Sequence, residues 1–314
     1  MTKILITDLT HPVLEERLRE AGFNVTVATG LDRDETIAAA QGKDALVVRS
    51  KVIVDRQFID RCPSLRCIGR VGAGMETIDV AYAESRGIVC LNSPEGNRDA
   101  VGEHTASLLL ALLCKTAAAD AEVRQGLWQR EANRGLELGP RTVGIIGFGN
   151  MGSAFAKKIS GFGCKILAYD KYKYNYAPKY VEECSLKELQ QKADIVSLHV
   201  PLTPETHHMV DAAFLGAFAK PIHLLNTSRG SVVDTAALVD AMERQRVLGA
   251  GLDVLEYEDM SRDGLAAQPE PEPLQYLRRS PRTVLTPHVA GWTVESRYKL
   301  ADVLARKIIA VLCS

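Results

Sequence analysis

Short apolar runs alternate with longer segments in which apolar positions recur every three to four residues. In the first part of the chain, five runs rich in Val and Ile are bounded by Asp, Gly, Asn or Pro, and they predict the strands KILIT, NVTVA, ALVVR, RCIGRV and GIVCL. The segments PVLEERLREA and DETIAAAQ between them have helical spacing, and Asp32 is placed to cap the second. This alternation predicts a parallel sheet flanked by helices.

A second series of strands begins after Arg141 and runs through TVGIIG, KILAYD, DIVSLHV, IHLLNTS, GAGLDV and RTVLTPH. Two such series predict two α/β domains. The turn-rich segment NSPEGNRD ends the first series, and one long helix is predicted from about residue 100 to residue 121. We expect the amphipathic terminal segment VESRYKLADVLARKIIAVL to return to the amino-terminal domain, so that ligands bind in a cleft at the two crossings.

Composition narrows the class of protein. A length of 314 residues suggests about two domains, and 46% apolar with 25% charged residues is typical of a globular chain. The net charge of -1 gives no basic footprint for nucleic acid or an anionic membrane. The amino terminus lacks a secretory signal and no stretch is apolar enough to span a bilayer, which predicts a cytoplasmic location. Seven cysteines without a C-x-x-C pair fit reduced thiols, and no metal site is predicted.

The glycine-rich motif GFGNMG at 147–152 predicts a dinucleotide site. It follows a predicted strand and opens a predicted helix, and the next strand, ILAYD, ends in Asp170. The first glycine allows a tight turn, the second lets the pyrophosphate approach the backbone and helix amides, and the third lets the helix pack closely. The carboxylate of Asp170 suits ribose hydroxyls and would repel a 2'-phosphate, so NAD is favoured over NADP, although Lys171 and Lys173 weaken that preference.

Seven motifs together resemble those of the D-2-hydroxyacid dehydrogenase family, in the family's order and over nearly the whole chain: VGAGMETID, NSPEGN followed by AVGEHT, VGIIGFGNMG, LHVPLTPET, NTSRG, GLDVLEYE and TPHVAGWT. The chain is most similar to phosphoglycerate dehydrogenase-like and hydroxypyruvate reductase-like members without a carboxy-terminal regulatory domain. The resemblance implies an α/β fold of two doubly wound Rossmann-like domains. A flavodoxin-like substrate domain, residues 1–98 plus 289–314, is split by an inserted NAD-binding domain, residues 99–288.

The resemblance also implies hydride transfer between NAD and C2 of a D-2-hydroxy acid or 2-keto acid. The substrate stays open among 3-phosphoglycerate, glycerate or hydroxypyruvate, glyoxylate and lactate. By position, Arg229 corresponds to the substrate-binding arginine, Glu258 to the acidic partner and His288 to the general acid/base. The family spacing selects Glu258, because spacing alone does not distinguish it from Glu256 or Asp259, and a solvated loop carboxylate is the alternative.

Further ligand contacts follow from the same positions. The backbone of the VGAG turn is expected to meet the substrate carboxylate, and Trp292 replaces a small residue and would narrow the pocket. Arg49, Lys51 and Arg70 are candidate cations for a phosphorylated substrate or ordinary surface charges. The implied substrate residues are Ser50, Val71, Gly72, Ala73, Gly74, Arg229, His288 and Trp292. The implied cofactor residues are Gly147, Phe148, Gly149, Asn150, Met151, Gly152, Asp170, His199, Val200, Pro201, Thr206, Thr227, Ser228, Arg229, Asp253, His288 and Ala290.

A second class of function stays open. Related corepressor proteins retain this fold, so the alternative is an NAD(H)-sensing scaffold with little or no turnover. The predicted partners are otherwise a small-molecule acid and a second copy of the chain. The helix containing ASLLLALL has more apolar surface than one domain face requires, which predicts a homodimer with this helix at its interface.

Overall fold

The computed structural model of the protein describes residues 1–259, 264–265 and 270–313. The strands are β1 Lys3–Ile6, β2 Asn24–Val27, β3 Ala45–Val48, β4 Cys67–Arg70, β5 Val89–Leu91, β6 Thr142–Ile146, β7 Lys165–Tyr169, β8 Glu182–Glu183, β9 Ile195–Leu198, β10 Ile222–Asn226, β11 Val247–Leu252, β12 Glu258–Asp259, β13 Gly264–Leu265 and β14 Thr283–Leu285. The helices are α1 Val13–Glu20, α2 Arg33–Ala40, α3 Arg56–Asp60, α4 Val80–Ser85, α5 Arg98–Leu113, α6 Thr116–Arg124, α7 Asn150–Ile159, α8 Leu186–Lys192, α9 Ala212–Gly216, α10 Thr235–Glu243, α11 Glu272–Arg279 and α12 Val294–Cys313. Short 3-10 helices cover Ser160–Phe162 and Gly230–Val232.

The chain divides into two compact units. Unit 1 consists of Met1–Arg98 and Trp292–Ser314, and unit 2 of Asp99–Gly291. The units divide after residues 98 and 291, whereas the sequence predicts divisions after residues 98 and 288. Residues 288–290 stay with unit 2 because all three of their backbone amides donate to Asp253.

Unit 1 is built on a parallel sheet with the strand order β2-β1-β3-β4-β5, which is the flavodoxin-like order. The terminal helix α12 buries Leu304 and Ile308 in one core with Ile4 and Leu14, and Asp302 pairs with an arginine of α1. The predicted return of this helix to the amino-terminal domain is therefore confirmed. Helix α2 begins at the predicted cap, where the Asp32 side chain accepts from the third helical amide.

Unit 2 is built on a seven-stranded sheet with the order β14-β11-β10-β9-β6-β7-β8, in which every pairing is parallel. Apolar residues on its two faces form separate cores, one with α8 to α11 and one with α5 and α7. The predicted fold class is confirmed by both sheets. The strand order reverses between β6 and β9, which is where doubly wound sheets bind ligands beyond the strands' carboxyl ends.

The prediction of one helix from residue 100 to residue 121 is wrong, because α5 ends at Leu113 and α6 begins at Thr116. Lys115 between them has a φ of 55°, in the left-handed region. The returning chain satisfies the end of α5, since the Leu136 amide donates to the Leu113 carbonyl at 2.9 Å and Lys115 Nζ donates to Ala132 O at 2.7 Å. Contacts distant in sequence therefore end a helix that the local pattern would continue.

The apolar surface of α5 is used inside unit 2. Leu108, Leu109, Leu112 and Leu113 are all buried in the core that includes β6. The apolar surface of α5 that predicted a dimer interface on this helix is therefore buried in the core of unit 2. Among the residues that the structure describes, no helix combines the length and apolar character needed to cross a membrane.

Candidate active site

The loop between β6 and α7 has the backbone geometry of a dinucleotide site. Gly147 has a φ of 88°, and a Cβ there would lie 2.6 Å from the carbonyl oxygen of His199. A Cβ on Gly152 would overlap the carbonyl oxygen of Gly147, whereas Gly149 faces open space. Gly147 and Gly152 are thus required by the shape of the loop itself. Gly149 leaves the start of α7 accessible to a ligand. These features fit a phosphate group held by helix amides.

Asp170 lies beside this loop, directly after β7. Its Oδ2 accepts from the Phe148 amide at 2.8 Å, and its Oδ1 accepts from the Tyr172 amide at 3.0 Å. Lys171 pairs with Glu205. Lys173, the other nearby cation, donates to the Phe148 carbonyl at 3.1 Å. Among the described residues, neither lysine pairs with the Asp170 carboxylate, which lies beside the loop as expected for an acid that would bind ribose hydroxyls.

His199 and Val200 lie against Gly147 of the glycine-rich loop. His199 follows β9, and its Nε2 is 2.8 Å from Ser197 Oγ, while Nδ1 has no partner within the described residues. Burial lowers the pKa of His199 to about 3, so the ring is neutral and adds no positive charge near a phosphate. The following loop is closed by Thr206 Oγ1, which donates to Pro201 O at 2.6 Å. Val200 is half-buried beside Gly147.

His288 and Glu258 meet directly in unit 2. His288 Nδ1 lies 2.7 Å from Glu258 Oε2, with the side chains 30% and 19% exposed, so both are sheltered but reachable. The other oxygen of Glu258 accepts from the Leu255 amide, which fixes the carboxylate. The neighbouring Glu256 has different partners, accepting from His208 Nε2 at 2.7 Å and from the amide at the start of α10. The geometry thus distinguishes two acids that spacing alone did not.

Asp253 holds the turn that presents His288. Its carbonyl accepts from the His288 amide at 2.7 Å, its Oδ1 from Thr286 Oγ1 at 2.6 Å, and its carboxylate from the amides of 289–290. Burial alone would raise the pKa of Asp253, but hydrogen bonds led by that from His104 outweigh burial and lower it. The sequence assigned Asp253 to the cofactor and did not reveal this supporting role.

His288 has a φ of 54°, an unusual conformation for a residue with a side chain. Such strain costs about 1–3 kcal/mol and persists where neighbours impose it. The carbonyl and carboxylate of Asp253 supply that constraint. The imidazole is therefore held in place by the backbone as well as by Glu258.

His104 of α5 contacts this network, although the sequence does not place it among the candidate site residues. Its Nε2 is 3.0 Å from Thr286 Oγ1 and 3.3 Å from Asp253 Oδ1. Nothing in the local sequence connects α5 with the TPHVAGWT segment. The available signal was a histidine six residues after Arg98, and it does not identify a partner.

The NTSRG turn presents Arg229 after β10. Fully buried Asn226 accepts from the Ser228 amide and hydroxyl at 3.0 and 2.7 Å, and its Nδ2 donates to Arg229 O at 2.9 Å. A Cβ on Gly230 would collide with the Leu255 backbone, so this turn packs against the segment that leads to Glu258. Thr227 and Ala290, also predicted cofactor residues, are buried, and Thr227 Oγ1 is 2.9 Å from a threonine of α5.

Unit 1 contains the predicted substrate turn at 71–74, after β4. Two of its four amides are used inside the protein, because Val71 N donates to Val48 O at 3.0 Å and Gly72 N to Arg70 O at 2.9 Å. We therefore expect only the Ala73 and Gly74 amides of this turn to be available to a ligand. Ser50, half-buried, follows β3.

Trp292 also belongs to unit 1, where its ring lies under a guanidinium. Arg49 Cζ is 4.7 Å from the ring centroid, within cation-π range, and the Trp292 side chain is 65% exposed. The Arg49 amide donates to Asp8 Oδ2 at 2.9 Å, and its carbonyl accepts from Arg70 Nε at 3.3 Å. Two of the three candidate cations are thus adjacent, whereas Lys51 is exposed.

No group of three or more His, Cys, Asp or Glu residues able to hold a metal ion occurs in the described part of the chain. The histidines near the site have other partners: His208 pairs with Glu256, and His104 contacts Thr286.

The chain is similar in sequence and in fold to known proteins. The family profile described as "D-isomer specific 2-hydroxyacid dehydrogenase, NAD binding domain" matches residues 106–290. D-3-phosphoglycerate dehydrogenase of Methanocaldococcus jannaschii is 35% identical over 319 residues, which cover 99% of this chain and 58% of that protein. Glyoxylate reductase of Thermofilum pendens is 37% identical over 287 residues, which cover 89% of this chain and 81% of that protein.

Among solved structures, D-lactate dehydrogenase from Aquifex aeolicus, complexed with NAD and lactic acid, is similar with a TM-score of 0.85 and 27% identity. The match covers 99% of this chain and 95% of that one. By contrast, the chain spans little more than half the length of the phosphoglycerate dehydrogenase relative, at 58%. The similarity therefore extends over both units, while relatives differ in length and in named substrate.

Proposed function

The chain belongs to the D-isomer specific 2-hydroxyacid dehydrogenase family, and on that premise we propose that it is an NAD-dependent oxidoreductase interconverting a 2-keto acid and a D-2-hydroxy acid. The predicted family is confirmed, and so is NAD as the cofactor that this family's domain binds. The cytoplasmic location stays a prediction. The catalytic residues and the substrate are the proposal developed below.

His288 is the proposed proton carrier. Because Nδ1 faces Glu258, the other ring nitrogen, Nε2, is the one left to exchange a proton with substrate. In the reducing direction protonated His288 donates to the substrate carbonyl oxygen, and in the oxidising direction neutral His288 accepts the hydroxyl proton. Glu258 stabilises the imidazolium and fixes the ring. The bound nicotinamide supplies the hydride.

Arg229 is the proposed partner of the substrate carboxylate and carbonyl oxygen. A guanidinium presents paired donors to a carboxylate, and its charge stabilises negative charge on the carbonyl oxygen as hydride arrives. Its backbone is extended, with φ of -141° and ψ of 140°, on a turn organised by Asn226. In unit 1, considered by itself, the Ala73 and Gly74 amides are the proposed donors to a carboxylate.

One observation supports this function most strongly: the 2.7 Å contact between His288 and Glu258 on a backbone held by Asp253. A packing histidine would not require a left-handed backbone, a buried clamp and a fixed carboxylate together. This combination instead suits a ring that must keep its orientation while its charge changes.

The function is tested by following NADH absorbance with glyoxylate, hydroxypyruvate, pyruvate, phenylpyruvate and 3-phosphohydroxypyruvate. We expect oxidation with at least one 2-keto acid and a D product. Measurable NADH binding without turnover on any of them would instead support the alternative of an NAD(H)-sensing scaffold. An L product would contradict the proposed stereochemistry.

Substrate choice is proposed to depend on Trp292 and the guanidinium that it contacts. The ring covers one face of Arg49, so it restricts access to that cation and adds bulk beside it. We expect Trp292→Ser to raise kcat/KM for 3-phosphohydroxypyruvate relative to glyoxylate by about tenfold, since one well-placed contact contributes about 1–3 kcal/mol. An unchanged ratio across the substrates would remove Trp292 from this role.

A homodimer is retained as a proposal, with its interface moved from α5 to α6 and the chain after it. Val123, Leu127 and Trp128 are 52%, 43% and 78% exposed, which places apolar side chains close together in sequence at the surface of unit 2. Light scattering should give twice the chain mass, and Trp128→Glu should shift it toward one. A monomeric wild type would refute the dimer.

A further inference from the structure

Two adjacent carbonyls of the unit 1 glycine turn are held by the segment that follows β5. The Gly72 carbonyl accepts from the Ser93 amide at 2.9 Å, and the Ala73 carbonyl accepts from Asn92 Nδ2 at 2.6 Å. Ser93 is fully buried and Asn92 half-buried, so both bonds are sheltered from water. The turn is thus fixed from one side by two consecutive residues.

These bonds determine where the amides of the turn point. In a trans peptide the carbonyl of one residue and the N–H of the next point in opposite directions. The Ala73 amide therefore points away from Ser93, and the Gly74 amide points away from Asn92. Within the described residues, neither amide donates a hydrogen bond to the protein. Two consecutive amides directed to one side form a concave site for an anion.

Asn92 is itself anchored by the terminal helix. Lys307 Nζ of α12 donates to the Asn92 carbonyl at 2.9 Å and pairs with both oxygens of Glu95 at 2.9 Å. The turn also carries positive charge close by, because a Cβ on Gly72 would lie 2.9 Å from the guanidinium carbon of Arg70. The Asn92 side chain thus connects the glycine turn at 71–74 to the segment that Lys307 of α12 holds in place.

We propose that Asn92 is a positioning residue that directs the Ala73 and Gly74 amides toward the carboxylate of the substrate. The inference rests on the proposed function for the identity of the anion, a 2-keto or 2-hydroxy carboxylate. Asn92 does not touch the substrate; it holds the Ala73 carbonyl, and the peptide plane carries that constraint to the Gly74 amide. Lys307 supports the same arrangement from α12.

The test measures binding of oxalate, an unreactive carboxylate, to the full chain loaded with NAD, using titration calorimetry. Asn92→Ala should weaken oxalate binding about tenfold, in line with one lost sheltered hydrogen bond. Asn92→Asp keeps the size of the side chain but removes the donor and adds like charge, so it should weaken binding further. The Kd for NADH should stay within twofold for both variants.

Arg19→Ala is the matched control, because Arg19 Nη2 also donates to a backbone carbonyl of unit 1, that of Val25, at 2.8 Å. It should leave oxalate binding unchanged. Lys307→Met should weaken oxalate binding by a smaller factor than Asn92→Ala. In steady state, Asn92→Ala should raise KM for the keto acid more than it lowers kcat.

Oxalate binding within twofold of wild type in both Asn92 variants would overturn the inference, as would a parallel loss of NADH binding. Failure of the wild type to bind oxalate would also overturn it. Absence of keto acid reduction by a wild type that binds oxalate through Asn92 would instead reject the proposed function and leave the anion site standing. The two hypotheses therefore fail separately.

Discussion

The two glycine-rich turns, 71–74 in unit 1 and 147–152 in unit 2, achieve a similar exposure of backbone amides by different means. In unit 2 the turn runs directly into α7, whose first turn orients the amides. In unit 1 no helix follows until Val80, and side chain and backbone bonds from residues 92–93 orient the amides instead. One site is made by local chain geometry and the other by a neighbouring segment.

The two turns also differ in what a side chain would meet. A Cβ on Gly152 would collide with the Gly147 carbonyl, which is backbone and cannot move cheaply. A Cβ on Gly72 would meet the guanidinium of Arg70, the end of a flexible side chain. The Gly152 position of the unit 2 turn should therefore tolerate substitution less well than the Gly72 position of the unit 1 turn.

Substitution of Gly152 in the unit 2 turn should weaken function more than any other change to either turn. Gly152→Ala should weaken NADH binding by about 100-fold or more, because the helix must move off the sheet to admit the methyl group. Fluorescence titration measures the Kd. Gly161→Ala is the control, since a Cβ there meets nothing within 4 Å. Retained affinity in Gly152→Ala would show that the loop adjusts more freely than its backbone contacts indicate.

The difference between the turns explains what the sequence could predict. The strand, G-x-G-x-x-G and helix of unit 2 are contiguous, so their pattern predicts the candidate cofactor loop and the position of Asp170 beside it. The unit 1 turn was found only as a motif, and the amides that remain available depend on Asn92, which local pattern does not connect to it. The same limit applies to His104 and Asp253, which meet through folding rather than spacing.

The next effect concerns acid stability. Burial, with a smaller contribution from Arg141, lowers the pKa of His223 in unit 2 from 6.5 to about 4, against an opposing contribution from Asp194. As pH falls, His223 is therefore protonated in the unfolded chain at a higher pH than in the folded chain. The free energy of unfolding decreases as pH falls below about 6.5. Between pH 7.5 and pH 5 this histidine should cost about 2 kcal/mol of unfolding free energy.

His223→Gln should remove that part of the pH dependence, measured by urea unfolding at the two pH values. Exposed His207→Gln provides the control and should keep the wild-type dependence. Unit 1 contains a single histidine, the half-buried His11, so this acid sensitivity belongs to unit 2. Equal pH dependence in His223→Gln and wild type would show that the half-buried His223 ring does not contribute.

A smaller effect is expected in unit 1. Gly72→Ala should raise KM for the keto acid about tenfold or less, because the Arg70 side chain can shift away from the added methyl group. NADH affinity should not change. A loss as severe as that of Gly152→Ala would contradict the distinction between a backbone-limited turn and a side-chain-limited one.

The break between α5 and α6 shows the other limit of the sequence. The segment LLALLCKTAAAD contains neither Gly nor Pro, so its local pattern favours one helix. The break occurs because the Leu136 amide donates a hydrogen bond to the Leu113 carbonyl and Lys115 adopts a left-handed conformation. By contrast, the capped start of α2 was predictable, since Asp32 and Glu35 lie within one helical turn.

His288, held by Glu258 and Asp253, is proposed to transfer the proton in an NAD-dependent reaction. The most direct measurement compares kcat and NADH Kd of wild type and His288→Ala on the best 2-keto acid. We expect a fall in kcat of about 100-fold or more with the NADH Kd within twofold, because the variant lacks the general acid. Turnover within a fewfold of wild type would contradict this proposal.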